Sequence, residues 1–233
     1  MNKLSEWFSD PVFTSTTVNS SLWINTWLTI YMTLWTMILT VLIGVPLGVL
    51  LFETRRSRSA LARRLNAVVG FIVNVLRSFP FVILIIALIP ITSAIMGRAT
   101  GPDAAIVSLT IASVPFLARL VEAALRDLPA GKIEAVAMMG ASRMQIIRQV
   151  LIAEAMPGLI AAVTTTTIAV IGYTAMAGTV GAGGLGDLAF RRGYQNYNSL
   201  VMVATVVVLV VIVILVQVIG DWLARRVDHR ARS

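Results

Sequence analysis

Residues 201–216 read VMVATVVVLVVIVILV, a run without a charge inside an uncharged stretch that extends from 193 to 220. A helix needs about 20 largely apolar residues to cross the hydrocarbon of a bilayer, so this stretch reads as a membrane span. A membrane β-barrel would show short segments of alternating polarity, which a continuous run of this kind is not. The rest of the chain agrees. Of its 233 residues, 58% are hydrophobic and 13% charged, against about 45–50% and about 25% in soluble domains. This is the composition of an integral membrane protein.

Further uncharged stretches lie at 22–52, 78–97, 104–118 and 155–186. The first and last of these exceed one span, so each must tilt or continue beyond the bilayer. The second extends upstream to about Asn66, which puts Arg77 inside or beside the bundle. The third is short unless Arg119 snorkels and lets Leu120 and Val121 join it. The reading is five spans.

Charge placement supports that count. Arg55, Arg56, Arg58, Arg63 and Arg64 follow the first span. Arg119, Arg126, Lys132, Arg143 and Arg148 fall between the third and fourth, and Arg225, Arg226, Arg230 and Arg232 follow the fifth. With five spans these fourteen share one side, opposite Lys3, Arg98, Arg191 and Arg192. The positive-inside rule then puts the N-terminus outside and the C-terminus in the cytoplasm. The formal charge of +8 is therefore an orientation signal rather than a nucleic-acid footprint. Trp23, Trp27, Tyr194, Tyr197 and Trp222 fall at span ends, as interfacial anchors do. The first apolar run is too long for the core of a cleaved signal peptide. No internal repeat is evident, which gives an inverted-repeat carrier no support.

Several chemistries are excluded by what the sequence lacks. With no cysteine there is no disulfide, zinc-thiolate site or cysteine nucleophile. The single histidine, His229, reads as solvated within the basic tail. No G-x-x-x-x-G-K-[ST] is present to cradle a nucleotide. The acidic residues Asp103, Glu122, Glu154, Asp187 and Asp221 read as lying at or beyond span ends. Carriers coupled to protons or sodium place carboxylates or broken helices near the midplane. Energy for any transport must therefore come from elsewhere.

Gly181, Gly183 and Gly186 form a literal G-x-G-x-x-G, but at the end of a span rather than between a strand and a helix, so dinucleotide binding is not its use. The segment reads either as a tight or re-entrant connection or as a gate. Residues 128–157 are more informative. Pro129 suits the first position of a helix and Gly140 the position just past its end. Between them Ile133, Val136, Ala137 and Gly140 make one apolar stripe on a helix too short to be stable alone in water. Ser142 and Gln145 then form a capping-box pattern that opens the next helix. The short helix either docks into a partner's groove or lies on its own bundle.

Glu134-Ala135-Val136, followed by Gly140 and then by Val150-Leu151-Ile152-Ala153, resembles the EAA loop of ABC importer permeases. Val136 departs from the small residue usual there, and Ala153 from the usual proline, a role that Pro157 is placed to assume. Arg77-Ser78-Phe79-Pro80-Phe81, Gly172-Tyr173-Thr174-Ala175-Met176-Ala177-Gly178 and Val180-Gly181-Ala182-Gly183-Gly184-Leu185-Gly186 are similar to methionine importer permeases. The likeness runs from about Trp27 to Asp221.

The resemblance implies an all-α polytopic protein of five transmembrane helices with a short cytoplasmic coupling helix. Its parts are an external segment 1–21, an ABC type-1 transmembrane domain 22–222 and a cytoplasmic basic tail 223–233. The spans are placed at about 24–52, 66–97, 103–122, 155–178 and 197–220, with a coupling loop at 128–147. It implies a homodimer in the bacterial inner membrane, two cytoplasmic ATPase subunits that bind ATP and magnesium, and an external methionine-binding lipoprotein. The chain itself would carry no cofactor, metal or catalytic residue. Pro129, Ile133, Glu134, Ala135, Val136, Ala137 and Gly140 would contact the ATPase. Tyr173, Met176 and Gly178 are candidates for the solute pathway or gate, with helix packing as the competing role. A permease for another small solute, or a channel using the same loop, would share these features.

Overall fold

The computed structural model describes residues 11–14, 21–57, 59–129, 131, 136 and 138–228. Every element among them is helical, in keeping with the all-α expectation. The main helices are α1 (Leu22–Arg56), α2 (Ala60–Ser78), α3 (Phe81–Ala87), α4 (Ile89–Met96), α5 (Pro102–Arg126), α6 (Ile152–Gly178), α7 (Gly184–Leu188) and α8 (Ser199–Val227). Residues 229–233, His229 among them, lie outside the described residues, as do Ile133, Glu134, Ala135 and Ala137.

Among the described residues, four helical stretches are long and apolar enough to cross a membrane: α1, α5, the stretch Arg143–Gly178 that contains α6, and α8. A fifth is broken. α2 and α3 pass the same test together, but they are bent by 106°. The cause is Pro80, which adopts an extended ψ of 130° at the start of α3, and proline disfavours helical geometry in the residue before it. The third span proves longer than its uncharged core, because α5 runs from Pro102 to Arg126. Pro102 and Asp103 suit its first turn through fixed φ and through charge.

The chain forms two compact units. The first comprises Met1–Leu39, Phe79–Ala112 and Thr167–Leu215. Its core gathers Met32, Phe81, Ile85, Ile106 and Leu109 with Ala105, Ala177 and Ala182. Tyr31 donates to Asp103 Oδ1 at 2.9 Å, and Asp103 also pairs with Arg98. α7 folds tightly against the end of α6: a Cβ on Gly186 would stand 2.2 Å from the Ala175 carbonyl oxygen, and one on Gly178 2.3 Å from the Asp187 nitrogen. The glycine cluster is thus built for close backbone approach.

The second unit comprises Thr40–Ser78, Ser113–Thr166 and Val216–Ser233. Small residues set its helix spacing, as is usual in membranes. Gly48 of α1 meets α5 so closely that a Cβ would lie 2.6 Å from Val121 Cβ, and Gly220 of α8 abuts Thr164 of α6. Phe52, Leu117, Val121, Leu125, Leu151 and Leu159 fill the core.

Candidate coupling loop and solute pathway

In the second unit, α5 ends at Arg126 and Pro129 stands exposed. Gly131, Val136 and Met138 are helical. Gly140 has φ +82°, the left-handed conformation that glycine adopts without penalty just past a helix end. The Ala141 N–H donates back to the Val136 carbonyl at 3.4 Å, the six-to-one bond of a Schellman cap. Val136 is half-buried, whereas Met138 and Met139 are 89% and 77% exposed. The turn therefore presents two flexible, polarizable side chains.

The next helix opens as its sequence pattern requires. The Gln145 N–H donates to Ser142 Oγ at 3.4 Å and the Ser142 N–H to Gln145 Oε1 at 2.8 Å, completing the capping box. What the sequence did not reveal is that Ile146–Leu151 is a π-helical turn. Pro157, expected to take the place of the missing proline at 153, sits within α6 just beyond it.

Sequence reading also missed the charge network beside the loop. Glu122 is 2% exposed and lies 2.5 Å from Arg119, 3.6 Å from Arg55 and 3.9 Å from Arg126. A buried carboxylate is sustained only by such partners. Arg119 donates to the Gly70 carbonyl and to Asn74 Oδ1, both at 3.0 Å. The spacing Arg119-x-x-Glu122-x-x-x-Arg126 would have announced one shared helix face. Arg143 pairs with Glu53 at 3.4 Å.

In the first unit, the Tyr173 ring is half-buried and stacks on Phe81, centroids 4.5 Å apart. Met176, three residues on, is 45% exposed. Gly178 is buried where α7 crosses the end of α6. Of the three pathway candidates, Met176 has the freest side chain, and Tyr173 and Gly178 are already engaged in packing. An apolar groove of about 370 Å³ is lined by Ile168, Ile171, Gly172 and Ala175 of α6 and by Leu209 and Val213 of α8, and none of the three candidates lines it. Among the described residues no cluster of His, Asp or Glu could hold a metal ion.

Residues 44–233 match the family described as the binding-protein-dependent transport system inner membrane component. The chain belongs to that family. This inner membrane component is 46% identical over 182 residues to the probable D-methionine transport system permease protein MetI of Vibrio cholerae, covering 78% of this chain and 81% of the relative. It is likewise 46% identical over 181 residues to the methionine import system permease protein MetP of Bacillus subtilis, covering 78% and 82%. Among solved structures, a chain of the inward-facing MetNI methionine ABC transporter superposes with a TM-score of 0.88 at 44% identity, over 95% of this chain and 100% of that one. The family and the apolar helices together make the protein a multi-pass component of the inner membrane.

Proposed function

We propose that this chain is the membrane-spanning permease subunit of an ATP-driven importer that carries methionine, as either enantiomer, into the cell. The observation that carries the reading is the 46% identity, over most of both chains, to a relative named for D-methionine transport. The superposition on a methionine ABC transporter at a TM-score of 0.88 supports it. The assembly we propose is a homodimer with two cytoplasmic ATPase subunits, which bind ATP and magnesium, and an external methionine-binding lipoprotein. The N-terminus lies outside and the C-terminus in the cytoplasm, so that the loop 128–147 faces the ATPase.

In this reading Pro129, Ile133, Glu134, Ala135, Val136, Ala137 and Gly140 form the ATPase contact, with Glu134 meeting a basic group. A short helix needs a groove to cover its stripe, and the cap at Gly140 supports such a projecting turn. Closure of the ATPase pair on ATP would press the two loops together and rock the spans of the domain 22–222 from inward- to outward-facing. Hydrolysis would reset them. Tyr173, Met176 and Gly178 stand where the solute would pass the outer end of α6. A thioether beside an aromatic ring is a fitting contact for a thioether solute.

Reconstitution into vesicles with the ATPase and binding protein tests this. Labelled L- and D-methionine should accumulate only with ATP and only with the binding protein. Flux without ATP would make the chain a channel, and accumulation of a different amino acid alone would reassign the solute.

A further inference from the structure

The C-terminal end of the loop joins two features of opposite mechanical character. The capping box at Ser142 and Gln145 fixes its start. Directly behind, the π turn Ile146–Leu151 stretches the backbone ladder, with the Ile152 N–H reaching the Ile147 carbonyl five residues back. Six residues after the turn's end, Pro157 has no N–H to offer. A π turn is a weak point in a helix and is often found at functional sites. A push on the loop would be absorbed there, unless a second connection bypassed it.

Such a connection exists. Arg143 Nε, on the loop side of the π turn, lies 3.4 Å from Glu53 Oε2 near the end of α1. Two residues along α1, Arg55 reaches Glu122 of α5 at 3.6 Å. Glu122 holds Arg119 at 2.5 Å, and Arg119 donates to Gly70 and Asn74 of α2. All of these residues belong to the second unit. Arg143 is 69% exposed, and exposed ion pairs add little stability. What the Arg143–Glu53 pair supplies is a tether.

We infer that this ion-paired chain is a strut that carries displacement of the loop past the π turn into α1, α5 and α2, with Glu53 and Arg143 as positioning residues and Glu122 as the buried hub. The inference rests on the loop being the ATPase contact, as proposed above. It assigns a transport role to residues outside both the loop stripe and the solute pathway.

The test uses the complete transporter in vesicles, reading solute moved per ATP hydrolysed together with the melting temperature of the assembled complex. Glu53→Gln should melt with the parent complex but lose about 2- to 5-fold in solute per ATP, as much as an exposed ion pair can carry. The exchanged pair Glu53→Arg with Arg143→Glu should recover most of that loss. Because Glu122→Gln risks the fold, Arg55→Gln is the second variant, and it should lower the same ratio. An unchanged ratio in both Glu53→Gln and Arg55→Gln, or no recovery in the exchanged pair, overturns the strut. A parent complex that fails to assemble or to pump would overturn the permease reading instead, so the two failures are distinguishable.

Discussion

The Tyr173 ring lies stacked on that of Phe81, with planes 13° apart and centroids separated by 4.5 Å. Stacked aromatic pairs contribute about 0.5–1.5 kcal/mol beyond the area they bury. Tyr173→Ala should therefore lower the melting temperature of the assembled complex, and Tyr173→Phe should not. Met176→Ala removes a side chain that is 45% exposed, so it should leave melting alone and change solute moved per ATP. A melting loss in Met176→Ala with transport per folded molecule unchanged would make that residue a packing element.

Gly186 of α7 and Gly172 of α6 provide a contrast. A Cβ on Gly186 would meet the Ala175 carbonyl oxygen at 2.2 Å, whereas one on Gly172 meets nothing within 4 Å. Gly186→Ala should cost about 1–3 kcal/mol through overpacking. Gly172→Ala should be neutral or stabilising by about 0.5–1 kcal/mol, because alanine is the better helix residue. Thermal melts of the two purified variants check the ordering, and equal melting temperatures would contradict the close approach of α7 to α6.

Much of this fold was legible because membrane spans are written in uncharged length, and caps in residue type. Gly140 and the Ser142–Gln145 box needed only local chemistry. The break between α2 and α3 was not read, although Pro80 marked it, because hydropathy is blind to direction. The π turn at Ile146–Leu151 left no sequence signal: it is a shift in backbone register, and its residues suit an ordinary α-helix equally well. The ion pairs of Glu122 were not read either: Arg119 and Arg126, three residues before and four after, share its helix face, and α5 runs on past it to Arg126.

Gly140→Val should strain the loop without a clash. The φ of +82° disfavours any side chain, and no atom lies within 4 Å of the added Cβ. The cost is of order 1–3 kcal/mol of local strain, and it falls on the Schellman cap rather than on the membrane helices. Membrane insertion and yield should be normal while co-purification with the ATPase weakens. Gly140→Asn should be milder, since asparagine tolerates the left-handed region. Full assembly and uptake in Gly140→Val would remove the loop from the interface.

The topology can be tested without background, because the sequence contains no cysteine. The bent pair α2 and α3 makes this the decisive measurement. If the pair together forms one span, the chain crosses five times and its ends lie on opposite sides. If the 106° bend instead turns α3 back toward the side it came from, four crossings put both ends on the same side. Single cysteines at Ala60, Gln195 and Ala231 separate the cases. The five-span arrangement predicts that Ala60→Cys and Ala231→Cys react with a membrane-impermeant maleimide only from the cytoplasmic side, and Gln195→Cys only from outside. With four crossings positions 60 and 231 fall on opposite sides of the membrane, so one of the two would label from outside. The charges favour five, since any other count splits the arginines after α1 from those after α8. External labelling of Ala231→Cys would sink that arrangement.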